Sequence, residues 1–258
     1  MKRMIQVGVG GMGTCWTDRL AESDAWEAVA YVDTNPAHLK AAAARHGLPK
    51  SRCFATVGEA LRRVKADALL DVTPQRFRRG VCEAAIGAGL HVMSEKPLAD
   101  NLKNAKAIVA CAAKHKRIYM VAQNYRYQPV VQTMKRWVSE GRLGAVGYAG
   151  VNFHKGPHFG GFREEMAYPL VLDMSIHHVD MMRCIFDADV ASVSAVSTGA
   201  PWNWSASAGS SNVQSAIGAF PAAPSSACPV WAITAARTST HTRIAISILE
   251  SMVIVRLS

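Results

Sequence analysis

The chain has 258 residues, 50% of them hydrophobic and 19% charged, with 19 Gly and 11 Pro. Those proportions exclude a disordered, fibrous or collagen-like chain and fit one large or two modest globular domains. The net charge of +10 raises the question of nucleic acid, but the basic residues fall in short separate groups, Arg62-Arg63-Lys65, Arg76-Arg78-Arg79 and Lys114-His115-Lys116-Arg117, each expected on a helix surface or helix end and none interleaved with aromatics, so no nucleic-acid partner is expected.

The first predicted element is a strand that runs from Met4 to Val7 into Gly8-Val9-Gly10-Gly11-Met12-Gly13. The spacing of Gly8, Gly10 and Gly13 fits the G-x-G-x-x-G pattern of a dinucleotide-binding βαβ unit. Gly8 permits the tight turn, Gly10 lets the backbone approach a pyrophosphate, and Gly13 lets the next helix lie close to the strand. That helix, through Cys15, Trp16, Arg19 and Leu20, would aim its N-terminal N–H groups at the phosphates. Gly8, Gly10, Gly11, Met12 and Gly13 are therefore candidate cofactor-binding positions. A second strand over 27–32 ends in Asp33, about 20 residues past the last glycine, where the fingerprint places an acid for the adenosine ribose. Thr34-Asn35-Pro36 offers no arginine to neutralise a 2′-phosphate, so NAD is favoured over NADP. The alternative is that Asp33 only N-caps the helix that starts near Pro36.

Strands and helices then alternate. A helix is expected over 37–46, closed by Gly47, then a strand at 53–55, a helix over 57–64 and a buried strand over 68–72. A helix over 77–88 ended by Gly89, a strand over 90–93, a helix over 102–115 and a strand over 118–122 complete about six strands. This rhythm predicts right-handed crossovers and a doubly wound parallel sheet of the Rossmann type, ending near Ala122. The six cysteines, Cys15, Cys53, Cys82, Cys111, Cys184 and Cys228, show no C-x-x-C pairing and are expected to be reduced and buried, as in a cytoplasmic protein. After Lys2 and Arg3 the apolar run is broken by glycines and then by Asp18 and Arg19, unlike a signal peptide, and no run of about 18 apolar residues suggests a membrane span.

Four further segments occur in order: Asp71-Val72-Thr73-Pro74, His91-Val92-Met93-Ser94-Glu95-Lys96-Pro97-Leu98, Gln123-Asn124-Tyr125-Arg126-Tyr127-Gln128-Pro129, and Leu172-Asp173-Met174-Ser175-Ile176-His177-His178-Val179-Asp180. Together with the glycine loop they resemble the Gfo/Idh/MocA oxidoreductases, which include glucose-fructose oxidoreductase and inositol dehydrogenase, over residues 4 to about 187. The resemblance implies a hydride transfer between NAD and a hydroxyl carbon of a sugar, inositol or related polyol. It implies that Lys96, Asp173 and His177 form the catalytic group. It places Thr73, Pro74, Glu95 and Lys96 beside the cofactor, and Asn124, Tyr125, Arg126 and His154 beside the substrate. One departure is local: Arg76 and Arg78 stand where family members often carry histidines.

The residues themselves suit that chemistry. Lys96 follows the carboxyl end of a central strand, the crevice side of an open sheet, although a lysine there can equally be a loop cation. Pro97 would fix the local backbone, with a cis bond as one option. Asp173 and His177 are spaced i, i+4 on a helix predicted over 169–186, where a neutral imidazole can take a hydroxyl proton and a carboxylate can orient the ring. Asp180 is a second candidate for that orienting role, and His178 points about 100° away. A solvated polar face is the alternative for the whole set. Arg126 can serve a ligand or a structural ion pair across the domain junction.

From residue 123 an α+β substrate domain is expected, with a helix over 128–141, a strand over 145–153, a glycine loop from His154 to Gly161 suited to a lid, and a strand over 190–196. His154 and His158 are four apart, but no acid or cysteine accompanies them, so no metal is expected. Beyond Trp204 the composition changes: residues 205–226 lack any charged residue, and strand alternation reappears only at 243–249 and 252–257. This suggests an incomplete substrate domain, or translation of a shifted reading frame, which would put the family's homo-oligomer in doubt. The alternative function is then a dinucleotide-binding protein without catalysis.

Overall fold

A computed structural model describes residues 1–146, 148–154, 173–192 and 194–195 and the strands at 214–217, 230–238 and 241–246; at 152–154 and from 191 onward the description is of backbone alone. The chain divides into two compact units, Met1–Gln123 and Asn124–Ser258.

The first unit alternates strand and helix throughout. Its elements are β1 (Lys2–Val7), α1 (Gly11–Ala21), β2 (Trp26–Val32), α2 (Pro36–His46), β3 (Cys53–Phe54), α3 (Val57–Arg63), β4 (Ala68–Asp71), α4 (Gln75–Gly87), β5 (His91–Ser94), α5 (Leu102–Lys114) and β6 (Tyr119–Val121). The strands pair in parallel in the order β3-β2-β1-β4-β5-β6, the doubly wound arrangement with its switch point beside β1. Both faces of the sheet are covered. Ile5, Val7, Val32, Leu69 and Val92 pack with Ala85, Ile86 and Ile108 on one side, while Met4, Ala68 and Leu70 pack with Leu20 and Trp16 on the other. Truncating a fully buried member such as Ile5 or Leu69 to Ala would cost about 2–5 kcal/mol.

Helix limits follow local chemistry. Asn35 caps α2 by accepting from Ala37 N at 2.9 Å, Pro36 occupies its first turn, and Gly47 ends it at φ 68°. Asn101 caps α5 in the same manner. Two expectations are corrected. Helix α4 begins at Gln75, and Arg78 of the middle basic group lies inside the protein at 1% exposure, because an acidic partner awaits it there. Among the described cysteines Cys82 and Cys184 are buried, Cys53 and Cys111 are partly so, and Cys15 is exposed on α1.

The second unit begins with a 3-10 turn, Asn124–Tyr127, followed by α6 (Pro129–Ser139), β7 (Val151–His154), α7 (Ser175–Phe186), β8 (Val190–Ser192), β9 (Ser194–Ala195), β10 (Gln214–Ile217), β11 (Val230–Thr238) and β12 (His241–Ile246). A mixed sheet runs β7-β10-β11-β12-β8, with β9 pairing β11. Strand β7 is shorter than the stretch 145–153 suggested. Helix α7 is described from Ser175, preceded by a wider π turn at Asp173 and Met174. Strands β10 and β11 form where the sequence shows no alternation, since backbone pairing with β7 and β12 needs no side-chain pattern. The loop at 155–161 with His158, the helix start at 169–172, and the strand expected at 252–257 lie outside the described residues.

Candidate functional site

At Gly8 and Gly13 the glycine loop is built by backbone contacts that leave no room for a side chain. Gly8 has φ +85°, and a Cβ on it would meet the Val72 carbonyl oxygen at 2.8 Å. A Cβ on Gly13 would come within 2.2 Å of the Gly8 carbonyl oxygen, which measures how closely α1 sits on β1. Gly11 and Met12 form the first turn of α1, Met12 with its side chain exposed. That turn holds no acid, and Gly10 at the N-cap makes no side-chain cap bond, so its N–H groups suit an anion. The buried Gln6 donates its amide to the carbonyls of Gly8 at 3.1 Å and Gly13 at 2.8 Å.

Asp33 closes the loop from β2. Its Oδ2 accepts from Val9 N at 3.0 Å and its Oδ1 from Asn35 N at 2.8 Å. The expectation that it might cap α2 is corrected, because Asn35 does so two residues later. His38 Nδ1 stands 3.4 Å from Asp33 Oδ2, and its ring occupies the space a Cβ on Gly10 would enter, at 2.6 Å. A loop with this cradle and this acid fits a dinucleotide.

Beyond β4 and β5 lie the other two turns singled out in the sequence. Asp71 Oδ1 accepts from Thr73 N at 2.9 Å and Thr73 Oγ1 at 2.6 Å. Arg78 donates through Nε to Asp71 Oδ2 at 3.1 Å, through Nη2 to the Thr73 carbonyl at 2.8 Å, and through Nη1 to the Pro97 carbonyl. Burial pushes the Asp71 carboxyl up from its ordinary range, while the guanidinium and the Thr73 bonds pull it down. A guanidinium enclosed this fully needs the ionised carboxylate at its side. Pro74 precedes α4 in extended conformation. Glu95 is held on both oxygens, by Trp16 Nε1 at 2.7 Å and Lys96 N at 3.1 Å. The Lys96–Pro97 bond is cis. Underneath, Tyr119 bonds Ser94 at 2.7 Å, and burial raises both the Tyr119 phenol and the Cys82 thiol above their ordinary ranges.

In the second unit Asp173, His177, His178 and Asp180 are all buried, which rules out the solvated polar face. Tyr125 stacks on His177, with ring centroids 4.0 Å apart and planes at 10°. Arg126 grips Asp180 through Nε at 2.9 Å and Nη2 at 2.5 Å. Asp180 is thereby committed to Arg126, and its bond raises the Arg126 guanidinium further. Burial lowers the His178 imidazole. Asn124 shares the 3-10 turn with Tyr125 and Arg126, and His154 ends β7 with its side chain outside the described residues. Lys96 belongs to the first unit, and Asp173 and His177 to the second.

No motif in the sequence marks the roles of Gln6, Trp16 and Arg78. For Arg78 a signal existed: it shares helical spacing with Cys82, Ala85 and Ile86, the buried face of α4.

A doubly wound sheet with this loop defines a dinucleotide-binding domain. Family models agree: "Oxidoreductase family, NAD-binding Rossmann fold" matches residues 2–123, and "GFO/IDH/MocA C-terminal domain" matches residues 131–221, past the change of composition at Trp204. The chain belongs to the GFO/IDH/MocA oxidoreductase family. It is 29% identical over 203 residues to 1,5-anhydro-D-fructose reductase of Ensifer adhaerens, covering 76% of this chain and 60% of the relative. It is 31% identical over 188 residues to inositol 2-dehydrogenase of Paracoccus denitrificans, covering 71% and 54%. The fold resembles that of scyllo-inositol dehydrogenase from Lactobacillus casei with bound NAD(H) and scyllo-inositol, at TM-score 0.69 and 23% identity over 79% of this chain and 61% of that one. The chain thus spans little more than half the length of the curated relatives it matches.

Proposed function

We propose that this protein is an NAD-dependent oxidoreductase that moves a hydride between the nicotinamide and a hydroxyl carbon of a sugar, inositol or related polyol in the cytoplasm. The observation that carries the reading is Asp33: its carboxylate, fastened to Val9 N, stands at the mouth of the glycine loop. There it accepts ribose hydroxyls and repels a 2′-phosphate, which favours NAD over NADP. Gly8, Gly10, Gly11, Met12 and Gly13 hold the pyrophosphate, and Thr73, Pro74, Glu95 and Lys96 flank the remainder.

Bound NAD supplies the hydride acceptor. The Lys96 ammonium hydrogen-bonds the substrate hydroxyl oxygen and stabilises charge as the proton leaves. His177 takes that proton, and Asp173 steadies the imidazolium so formed. Asn124, Tyr125, Arg126 and His154 serve the remaining hydroxyls. The relatives named for inositol and anhydro-fructose chemistry support a polyol or sugar substrate.

The test is a thermal melt with NAD, NADP or neither, followed by turnover on a polyol panel, because a ligand that binds only the folded state raises the midpoint. The expected result is a larger rise with NAD than with NADP and reduction of NAD by at least one polyol. A cooperative melt indifferent to both nucleotides would overturn the cofactor reading. Binding without any turnover would leave a dinucleotide-binding protein that is not an enzyme.

A further inference from the structure

We propose that Arg78 is a positioning residue, locking the Thr73 turn and the Lys96 turn into one rigid ledge for the nicotinamide half of the cofactor. The inference rests on the reading that the glycine loop and Asp33 hold a dinucleotide.

Strands β4 and β5 are in register up to Asp71 and Ser94, and one more backbone bond, Glu95 N to the Asp71 carbonyl at 2.8 Å, ties them. Past that point the sheet ladder no longer joins the two chain segments. Arg78 does so instead. Its guanidinium reaches the carbonyl of Thr73 on one turn and that of Pro97 on the other, while Asp71 fixes its Nε edge. Asp71 in turn holds Thr73 through two bonds. The far side of the second turn rests on Tyr119, whose hydroxyl donates to the Leu98 carbonyl at 3.5 Å. Lys96 and Thr73 therefore sit on a frame whose shape one planar cation sets.

A buried ion pair is weak evidence for stability, since an apolar pair often serves as well. Its use here is geometric. Guanidinium donors lie in a fixed plane and can serve three acceptors at once, whereas a lysine ammonium is a single point that cannot span them. The sheet order gives the frame its place. Asp33 lies at the end of β2, to one side of β1, and the two turns follow β4 and β5, on the other side. A dinucleotide with its adenosine at Asp33 extends its other half towards the ledge.

The test is calorimetric titration of the wild type, Arg78→Lys and Arg78→Met with NAD and with ADP-ribose, which lacks the nicotinamide. Both variants are expected to reduce the ratio of NAD affinity to ADP-ribose affinity by about tenfold, with ADP-ribose affinity within about twofold of wild type. A residue that only stabilises the fold would lower the melting midpoint and leave that ratio unchanged, and this result would overturn the proposal. Should Arg78→Met not fold, Arg78→Lys, which keeps the charge beside Asp71, carries the test; failure of both to fold would make Arg78 a folding residue and also overturn the proposal. Wild-type protein that binds neither ligand would reject the dinucleotide reading itself, and this role with it.

Discussion

The phenol ring of Tyr125 lies flat against the imidazole of His177, 4.0 Å between centroids. Stacking of this kind limits rotation of the histidine ring and fixes the direction of its two nitrogens. Aromatic pairs contribute about 0.5–1.5 kcal/mol. Replacing Tyr125 by Leu is therefore expected to lower kcat for the proposed polyol oxidation by up to about tenfold with little change in KM for NAD, whereas Tyr125→Phe, which keeps the ring, retains most of the rate. Steady-state kinetics on the three proteins decide it; equal losses in both variants would mean that the hydroxyl, not the stack, matters.

Beside its bonds to the loop, Asp33 carries the proposed choice of cofactor, and substitution should reveal both tasks. With Asp33→Ser the negative charge against a 2′-phosphate is gone, so the proposed preference for NAD should narrow or reverse. The Val9 and Asn35 N–H groups also lose an ionised acceptor, costing about 1–2 kcal/mol. Melts of the variant with NAD and NADP measure the two effects together; an unaltered preference would remove Asp33 from cofactor selection.

Trp16 and Glu95 are 79 residues apart in sequence yet share a 2.7 Å bond. Trp16→Phe preserves most of the ring packing and deletes the donor, for an expected loss of about 1 kcal/mol. Chemical denaturation should show the smaller midpoint at an unchanged m-value. No loss would show that water replaces the indole N–H without penalty.

Burial keeps the His178 imidazole below its usual value of 6.5. As pH falls through that value the unfolded chain takes up a proton that the folded chain does not, so stability is full above it and declines on acidification until the folded ring protonates. Melting midpoints between pH 7.5 and pH 5, a window of about the right width for an imidazole, should fall less steeply in His178→Phe than in the wild type. Parallel curves would assign the decline to other groups.

Much of the first unit was legible because its signals are local. The strand before Gly8, the glycine spacing and the acid at residue 33 each follow from backbone sterics or charge. Between Asp33 and Asn35 the sequence cannot choose a cap, since both side chains are competent acceptors; the structure assigns Asn35 to the cap and Asp33 to the loop. The sequence points to a surface position for Arg78 because burying a charge is costly in general, and only the three-dimensional meeting with Asp71 offsets that cost. In the second unit Gln214–Ile217 and Val230–Thr238 carry no alternation to read; the first pairs with the distant Val151–His154, and the second forms a hairpin with His241–Ile246 whose turn the sequence does not mark. The burial of Asp173 and His177 was likewise not decidable from spacing, which fits a wet face as well as a dry one. The family motifs pointed to these residues, and the tertiary packing of α7 is what encloses them.

Gln6 lies beneath the glycine loop and fastens the carbonyls at both of its ends. The turn is therefore held from below by a side chain of the sheet itself, and its shape belongs to the fold of the first unit: a change at Gln6 would reach the loop without touching any of its glycines.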